Sequence, residues 1–110
     1  MDRHRTLAFQ KKDKSITPSQ PIIEKLTPRP GVYLYYDADG NVIYVGKAKN
    51  LRNRIRQYFT RHRTDAGAKT NLLVSRIASL KTIPTDSEFD AILLEATLIR
   101  KYLPKYNAIE

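Results

Sequence analysis

Gly31-Val32-Tyr33-Leu34-Tyr35-Tyr36-Asp37-Ala38-Asp39-Gly40-Asn41-Val42-Ile43-Tyr44-Val45-Gly46 is the stretch that decides the fold. Residues 32–36 and 42–45 are rich in β-branched and aromatic side chains, which suit a pleated and half-buried surface. Asp39-Gly40 between them supplies a turn, because glycine reaches positive φ without a steric penalty. The two segments predict a β-hairpin. Alternation with period two puts Tyr33 and Tyr35 on one face and Val32, Leu34 and Tyr36 on the other. Positive charge begins where the second strand ends, in Lys47-Ala48-Lys49-Asn50-Leu51-Arg52-Asn53-Arg54.

Downstream, Asn50 is suited to cap a helix running to about residue 59, with Leu51, Ile55 and Tyr58 or Phe59 as its apolar stripe. Residues 62–67 read as a loop, and residues 69–80 as a second helix with Leu73, Ile77 and Leu80 at core spacing. Residues 81–85 predict a short third strand at a sheet edge, since Pro84 has no N–H for a central ladder. Thr85-x-x-Glu88 has the form of a capping box for a last helix from Asp86 or Ser87 to Leu103, ended by Pro104.

Upstream, residues 21–27 predict a short helix with Pro21 in its first turn, stopped by Pro28 and Pro30. Residues 1–20 are polar and basic without sustained periodicity, and read as a mobile basic arm. That arm is either a leader with no task or a contact for phosphate. Residues 21–110 then form the folded domain. The expected class is α+β: a small antiparallel three-stranded sheet, hairpin plus edge strand, flanked by helices.

A chain of 110 residues makes one small domain, and its net charge of +9 with a pI near 9.9 calls for an anionic partner. Nucleic acid ranks first, an acidic protein second and an anionic membrane third. The absence of cysteine excludes disulfides and cysteine-ligated zinc and is compatible with a reducing compartment. The longest aliphatic run, residues 91–94, is far short of the roughly 20 residues of a membrane span. Met1-Asp2-Arg3-His4-Arg5 carries no apolar core of a secretory signal, so the expected location is cytoplasmic, without membrane association.

Two features bear on chemistry. Residues 47–63 hold seven Lys or Arg and no Asp or Glu. Such a run is either a solvated helix face or a phosphate-binding one, and a solvated face ordinarily mixes signs at i,i+4 spacing. Arg52, Arg54 and Arg56 point in different directions around the helix. Arg54 lies four residues before Tyr58, on the edge of the apolar stripe nearest the hairpin, which makes it the inward-facing one. Glu95 is the second feature. It falls roughly 140° around the last helix from the polar cluster of Asp90, Thr97 and Lys101. A carboxylate off the polar face is paired, protonated or bound to a cation, so Glu95 is either a salt-bridge partner of an arginine or a divalent-metal ligand. His4 and His62 read as surface residues.

Gly31-Val32-Tyr33, Tyr44-Val45-Gly46, Lys47, Arg54, Glu95 in Leu-Leu-Glu-Ala-Thr-Leu-Ile-Arg-Lys-Tyr and Asn107 in Pro-Lys-Tyr-Asn occur in that order. The set resembles the GIY-YIG nuclease family, and within it most closely the excision-repair endonucleases. Each tripeptide has Val where the family name has Ile, and the resemblance covers about residues 21–110. It implies metal-assisted hydrolysis of a DNA phosphodiester, 3′ to a lesion, with one Mg²⁺ or Mn²⁺ on Glu95. Tyr44 would be the general base, helped by Lys47 and the metal. Tyr33 would orient the water or the phosphate, and Arg54 would bind the scissile phosphate. Tyr58, Lys49, Arg52 and Arg56 are further candidate DNA contacts, and Gly31, Gly46 and Asn107 structural members of the motif. The implied partners are DNA and excision-repair partner proteins, with the isolated domain monomeric. The alternatives are a stand-alone GIY-YIG nuclease acting on branched or mobile-element DNA, and a basic nucleic-acid-binding module without catalysis.

Overall fold

The computed structural model describes residues 5–8, 11–12, 15–16, 20–60 and 67–107. In chain order the elements are β1 (Arg5–Ala8), β2 (Lys11–Lys12), β3 (Ser15–Ile16), α1 (Gln20–Glu24), β4 (Gly31–Tyr36), β5 (Val42–Ala48), α2 (Leu51–Tyr58), α3 (Ala68–Arg76), β6 (Ser79–Pro84) and α4 (Glu88–Tyr102). His4, His62 and most of the expected 62–67 loop lie outside the described residues.

The hairpin forms as the alternation requires. Tyr33 stands opposite Gly46, Leu34 opposite Val45 and Tyr35 opposite Tyr44, whereas Tyr36 stands opposite Val42. Ile43 is thus an extra residue in β5, a bulge that puts Ile43 and Tyr44 into the same core cluster as Tyr33 and Tyr35. The turn is built by more than Asp39-Gly40. The Asp37 carboxylate accepts from the backbone N–H of Asp39 at 3.0 Å and of Asn41 at 2.9 Å, and Gly40 takes a φ of 85°.

The expected three-stranded antiparallel unit is present as β6-β4-β5, and β1 adds a fourth strand outside β6. Arg5 pairs with Thr82 and Ala8 with Ser79. β6 is therefore not an edge over its whole length. Pro84 lies opposite Gly31, beyond the last residue that β1 pairs, so its missing N–H leaves no gap in the β1 ladder. β1 and the β2–β3 ribbon come from the stretch expected to be an arm. Their pairing is a backbone property and leaves no apolar period to be read.

Two boundaries differ from the sequence reading. α3 ends at Arg76 and β6 begins at Ser79, because Ala78 N–H already donates to Tyr36 O at 2.7 Å. Leu80 is buried from the strand, on the same core to which a helix would have turned it. The cap of α4 is Ser87, whose hydroxyl accepts from Asp90 N–H at 3.1 Å; Thr85 instead donates its hydroxyl to Ser87 O at 2.8 Å. Asn50 caps α2 as expected, accepting from Asn53 N–H at 3.0 Å.

The sheet has a core on each face. On one, Tyr33, Tyr35, Ile55, Tyr58, Leu73 and Ile77 pack together between the sheet, α2 and α3. On the other, Val32, Leu34 and Val45 pack against Ala91, Leu94 and Leu98 of α4. β5 would be an open edge, but the chain after α4 covers it. Tyr106 N–H donates to Ile43 O at 3.0 Å, and the Asn107 amide makes two bonds to Val45, accepting from its N–H and donating to its O, both at 2.9 Å. An edge strand so paired offers no template to another chain.

The two motif glycines are required by space. A Cβ on Gly31 would meet Ile83 O and the Leu51 side chain, and one on Gly46 would collide with the ring and hydroxyl of Tyr33. Gly46→Ala should therefore destabilise the fold by about 1–3 kcal/mol, the usual range for overpacking a dense core, and lower Tm by several degrees. Thermal unfolding checks this; a wild-type Tm would mean that the Tyr33 ring does not occupy that space.

Candidate active site

Four tyrosines meet on the α2 side of the sheet. Tyr33 and Tyr35 come from β4, Tyr44 from β5 and Tyr58 from the last turn of α2, with ring centroids 5.1 Å apart for Tyr35–Tyr58 and 6.4 Å for Tyr44–Tyr58. The Tyr33 and Tyr58 hydroxyls are hydrogen-bonded at 2.9 Å. Arg54, one helical turn before Tyr58, donates from Nε to the Tyr33 hydroxyl and from Nη2 to the Tyr58 hydroxyl, each at 3.3 Å. Its guanidinium also lies 4.8 Å from the centre of the Tyr58 ring. The i,i+4 spacing thus placed Arg54 as expected.

Burial dominates the acidity of these phenols. It pushes Tyr33 up to about 12, opposed by the Tyr58 hydrogen bond and the Arg54 charge. Tyr35, Tyr44 and Tyr58 are raised as well, burial again being the largest cause. For Tyr44, Tyr58 adds to the rise, Arg54 opposes it and the Glu95 carboxylate adds a further push upward. All four are neutral phenols near pH 7. The Tyr35 hydroxyl is fully buried and has no hydrogen-bond partner among the described residues.

Glu95 and Lys47 lie across β5 from this cluster. The Lys47 ammonium is 4.0 Å from a Glu95 carboxylate oxygen, and the Glu95 side chain is only 22% exposed. The partner of Glu95 is thus a lysine, where an arginine was one expectation. Lys47 was also expected to assist Tyr44. It does not share that side: it is three residues away along β5, and an odd offset points it to the α4 face, opposite Val32. Arg54 is a cation on the Tyr44 side.

The chemistry of Glu95 fits a hard divalent cation. Among the described residues no group of three His, Cys, Asp or Glu converges. One carboxylate with the remaining positions left to water and phosphate is the donor set of Mg²⁺, not of zinc or of a calcium cage.

The other sequence candidates divide. Lys49 is exposed on the segment that leads into α2. Arg56 turns away from the cluster, bonded to Glu24 at 2.7 Å and to Asn53 at 3.1 Å. Arg52 bonds through its backbone N–H to Thr27 O at 3.1 Å, and its buried Nε has no hydrogen-bond partner among the described residues. Arg52 and Arg56 lie roughly 160° around α2 from Arg54, as 100° steps require; Arg54, although exposed, is the one that turns its guanidinium to the tyrosines. Beside the tyrosines a groove of about 300 Å³ is lined by Tyr44, Arg54, Tyr58, Lys69, Thr70 and Asn107, among others. Lys69 and Thr70 were not singled out from the sequence. A single Lys-Thr pair in the first turn of a helix carries no signal of what it faces.

A family model described as the UvrC-like GIY-YIG domain matches residues 29–108. UvrABC system protein C of Porphyromonas gingivalis is 52% identical over 88 residues, which are 80% of this chain and 14% of that protein. UvrABC system protein C of Desulfitobacterium hafniense is 55% identical over 84 residues, 76% of this chain and 13% of that protein. The chain therefore spans about one-seventh of the length of these curated relatives. Among solved structures, the GIY-YIG N-terminal endonuclease domain of UvrC from Thermotoga maritima, bound to its catalytic magnesium, matches with a TM-score of 0.71 at 35% identity. The match covers 90% of this chain and 100% of that one.

The raised phenol acidities carry a pH signature. Since Tyr33 titrates at about 12 in the fold against 10.0 ordinarily, the stability it contributes is complete below pH 10 and is lost as pH rises through about 12. Tyrosinate absorbance and circular dichroism, followed together, should show the cluster ionising as the fold melts in that window. Ionisation of every tyrosine near pH 10 with the fold intact would show the cluster open to water. Tyr35→Phe removes only the unpartnered hydroxyl and should keep or raise Tm; a clear loss of stability would reveal a bond to that oxygen.

Proposed function

The chain belongs to the UvrC-like GIY-YIG family, and from that we propose that it is a metal-dependent DNA endonuclease domain that makes the incision 3′ to a lesion in nucleotide excision repair. Its partners on this reading are DNA and the excision-repair proteins of a UvrABC system (UvrB-like), and the isolated domain is a monomer. A cytoplasmic location goes with it; among the described residues no helix is long and apolar enough to cross a membrane. The observation that carries the proposal is one guanidinium held by two phenols beside a third, with a largely buried carboxylate on the other side of the same strand.

In this assignment Arg54 binds the scissile phosphate. Its geometry is preset by Tyr33 and Tyr58, so no reorganisation is needed as negative charge grows. Tyr33, its hydroxyl already bonded to Tyr58 and Arg54 and its proton held well beyond neutral pH, serves as a donor to phosphate or water. Tyr44 takes the proton from the attacking water. Its phenol is raised by burial, so this role depends on positive charge near it, and Arg54 is the cation that already opposes the rise. Glu95 holds the divalent ion, which when bound supplies Lewis-acid stabilisation at the phosphate. Lys47 balances Glu95 before the ion arrives. Tyr58 fixes Arg54.

The test is Mg²⁺-dependent incision of lesion-containing duplex DNA in the presence of the repair partners. Glu95→Gln should abolish incision while DNA binding stays intact or tightens, since one negative charge near phosphate is removed. Tyr44→Phe should keep fold and binding and lower the rate by roughly 10²–10⁴-fold, the range for loss of a general base. An enzyme that cuts normally as Glu95→Gln would leave that carboxylate as a salt-bridge partner of Lys47 and overturn the site.

A further inference from the structure

A guanidinium carries five N–H donors in a rigid plane and no acceptor. Among the described residues Arg54 bonds through all three of its nitrogens. Nε donates to the Tyr33 hydroxyl and Nη2 to the Tyr58 hydroxyl, each at 3.3 Å, and Nη1 donates to the Gln57 amide oxygen at 3.0 Å. The two phenol oxygens lie 2.9 Å apart and span one edge of the group. Contacts along a single edge leave a plane free to hinge about that line. The Gln57 bond lies off the line, at the third nitrogen, and it is exposed where the phenol bonds are partly buried. Gln57 reaches Arg54 because residues three apart on a helix are neighbours. Arg56, on the same helix, is treated differently. Its Nη1 donates to the Asn53 amide oxygen at 3.1 Å, but its Nη2 rests on the Glu24 carboxylate at 2.7 Å. Arg56 is held and neutralised, whereas two neutral phenols and an amide hold Arg54 and leave its charge in place.

We propose that Gln57 is a positioning residue for phosphodiester cleavage, fixing the plane of the Arg54 guanidinium without neutralising it, so that one N–H on Nη1 and one on Nη2 remain as a pair for the two non-bridging oxygens of the phosphate. The inference rests on the reading of Arg54 as the scissile-phosphate ligand given above. Three N–H serve the protein and two are left for substrate, so the phosphate displaces no existing bond. Two parallel N–H···O bonds are the arrangement in which arginine binds phosphate with both strength and direction. The role calls for an amide at position 57. An apolar side chain there would let the plane hinge about the two hydroxyls. A carboxylate would fix the plane equally well but cancel the charge that the phosphate needs.

Gln57→Met and Gln57→Glu separate the two halves of this role. Methionine keeps the unbranched stem and removes the acceptor. Gln57→Met should lower kcat of incision by about tenfold and leave KM within about twofold, since a misplacement of about 1 Å costs up to roughly 10²-fold in rate while the charge stays. Gln57→Glu should instead raise KM. In the Glu95→Gln background, used for binding, it should lower the slope of log affinity against log salt by about 0.9, one phosphate contact on duplex DNA. In an Arg54→Lys background, which has no planar group to align, Gln57→Met should cost nothing further. Parental kcat and KM in Gln57→Met, or an equal further loss beside Arg54→Lys, would overturn the positioning role and leave the nuclease reading standing. A parent protein that cuts nothing, with the salt slope still lowered by Gln57→Glu, would sink the nuclease reading and keep Gln57 as the residue that governs phosphate on Arg54. An unchanged salt slope in Gln57→Glu counts against the proposal in either case. Because Gln57 is exposed, each variant should melt at the parental Tm, which separates these effects from unfolding.

Discussion

The space above Gly46 is the constraint on which the site depends. With no side chain there, the Tyr33 ring lies over β5 and its hydroxyl reaches Tyr58 at 2.9 Å. Any other residue at 46 would push that ring away and separate β5 from α2. Gly31 acts in the same way at the far end of the pair. It lets Leu51 and the Ile83 carbonyl approach β4 closely, so the first residue of α2 sits against the strand. Backbone bonds from Leu51 to Arg29 O and from Arg52 to Thr27 O hold that end. Two absent side chains thus set the position of α2, and with it Arg54, to within hydrogen-bond reach of two strand-borne phenols.

The second constraint is parity along β5. Tyr44 and Gly46 face the tyrosines, whereas Val45 and Lys47 face α4. One strand therefore carries the phenol and the lysine on opposite sides of a single layer. Groups from two sides can meet only around an edge, and β5 is the edge strand. That exposes the site and also threatens it, because an edge frays and invites foreign strands. The Tyr106 and Asn107 bonds to Ile43 and Val45 bracket Tyr44 and remove the threat without closing the groove. The bulge at Ile43 belongs to the same device, since it turns Ile43 toward the Tyr44 side and leaves its carbonyl to Tyr106.

Much of this was legible because it follows from side-chain periodicity. The two faces of the hairpin, the Asn50 cap, the inward Arg54 and the misfit of Glu95 on α4 are all consequences of where a residue falls in a period of 2 or 3.6. What escaped has other causes. β1 is held by backbone pairing, which no side-chain pattern announces. The end of α3 was hidden because Leu80 is buried whether the chain continues as helix or turns into strand. Ser87 displaced Thr85 as the cap of α4, two candidates of equal chemistry two residues apart. The face of Lys47 could have been read from its odd offset to Tyr44. That of Lys69 could not, since it depends on how α3 docks.

The electrostatics of the cluster explain why four phenols can be packed around one cation without cancelling its charge. Buried tyrosines resist ionisation, so near neutral pH they surround Arg54 with dipoles and leave its positive charge uncompensated. Arg54 bonds to two hydroxyls and, through Nη1, to the Gln57 amide oxygen at 3.0 Å. A carboxylate in place of either phenol would orient the guanidinium equally well and would neutralise it. On Tyr44 the Glu95 carboxylate acts as well, and it holds the phenol proton more tightly. The same coupling gives Tyr44 its opportunity. Positive charge gathered at Glu95 cancels that push and, if in excess, reverses it, whereas Tyr33 remains governed by burial and by its bond to Tyr58. Of the phenols in the cluster, Tyr44 is thus the one on which a change of charge at Glu95 is felt.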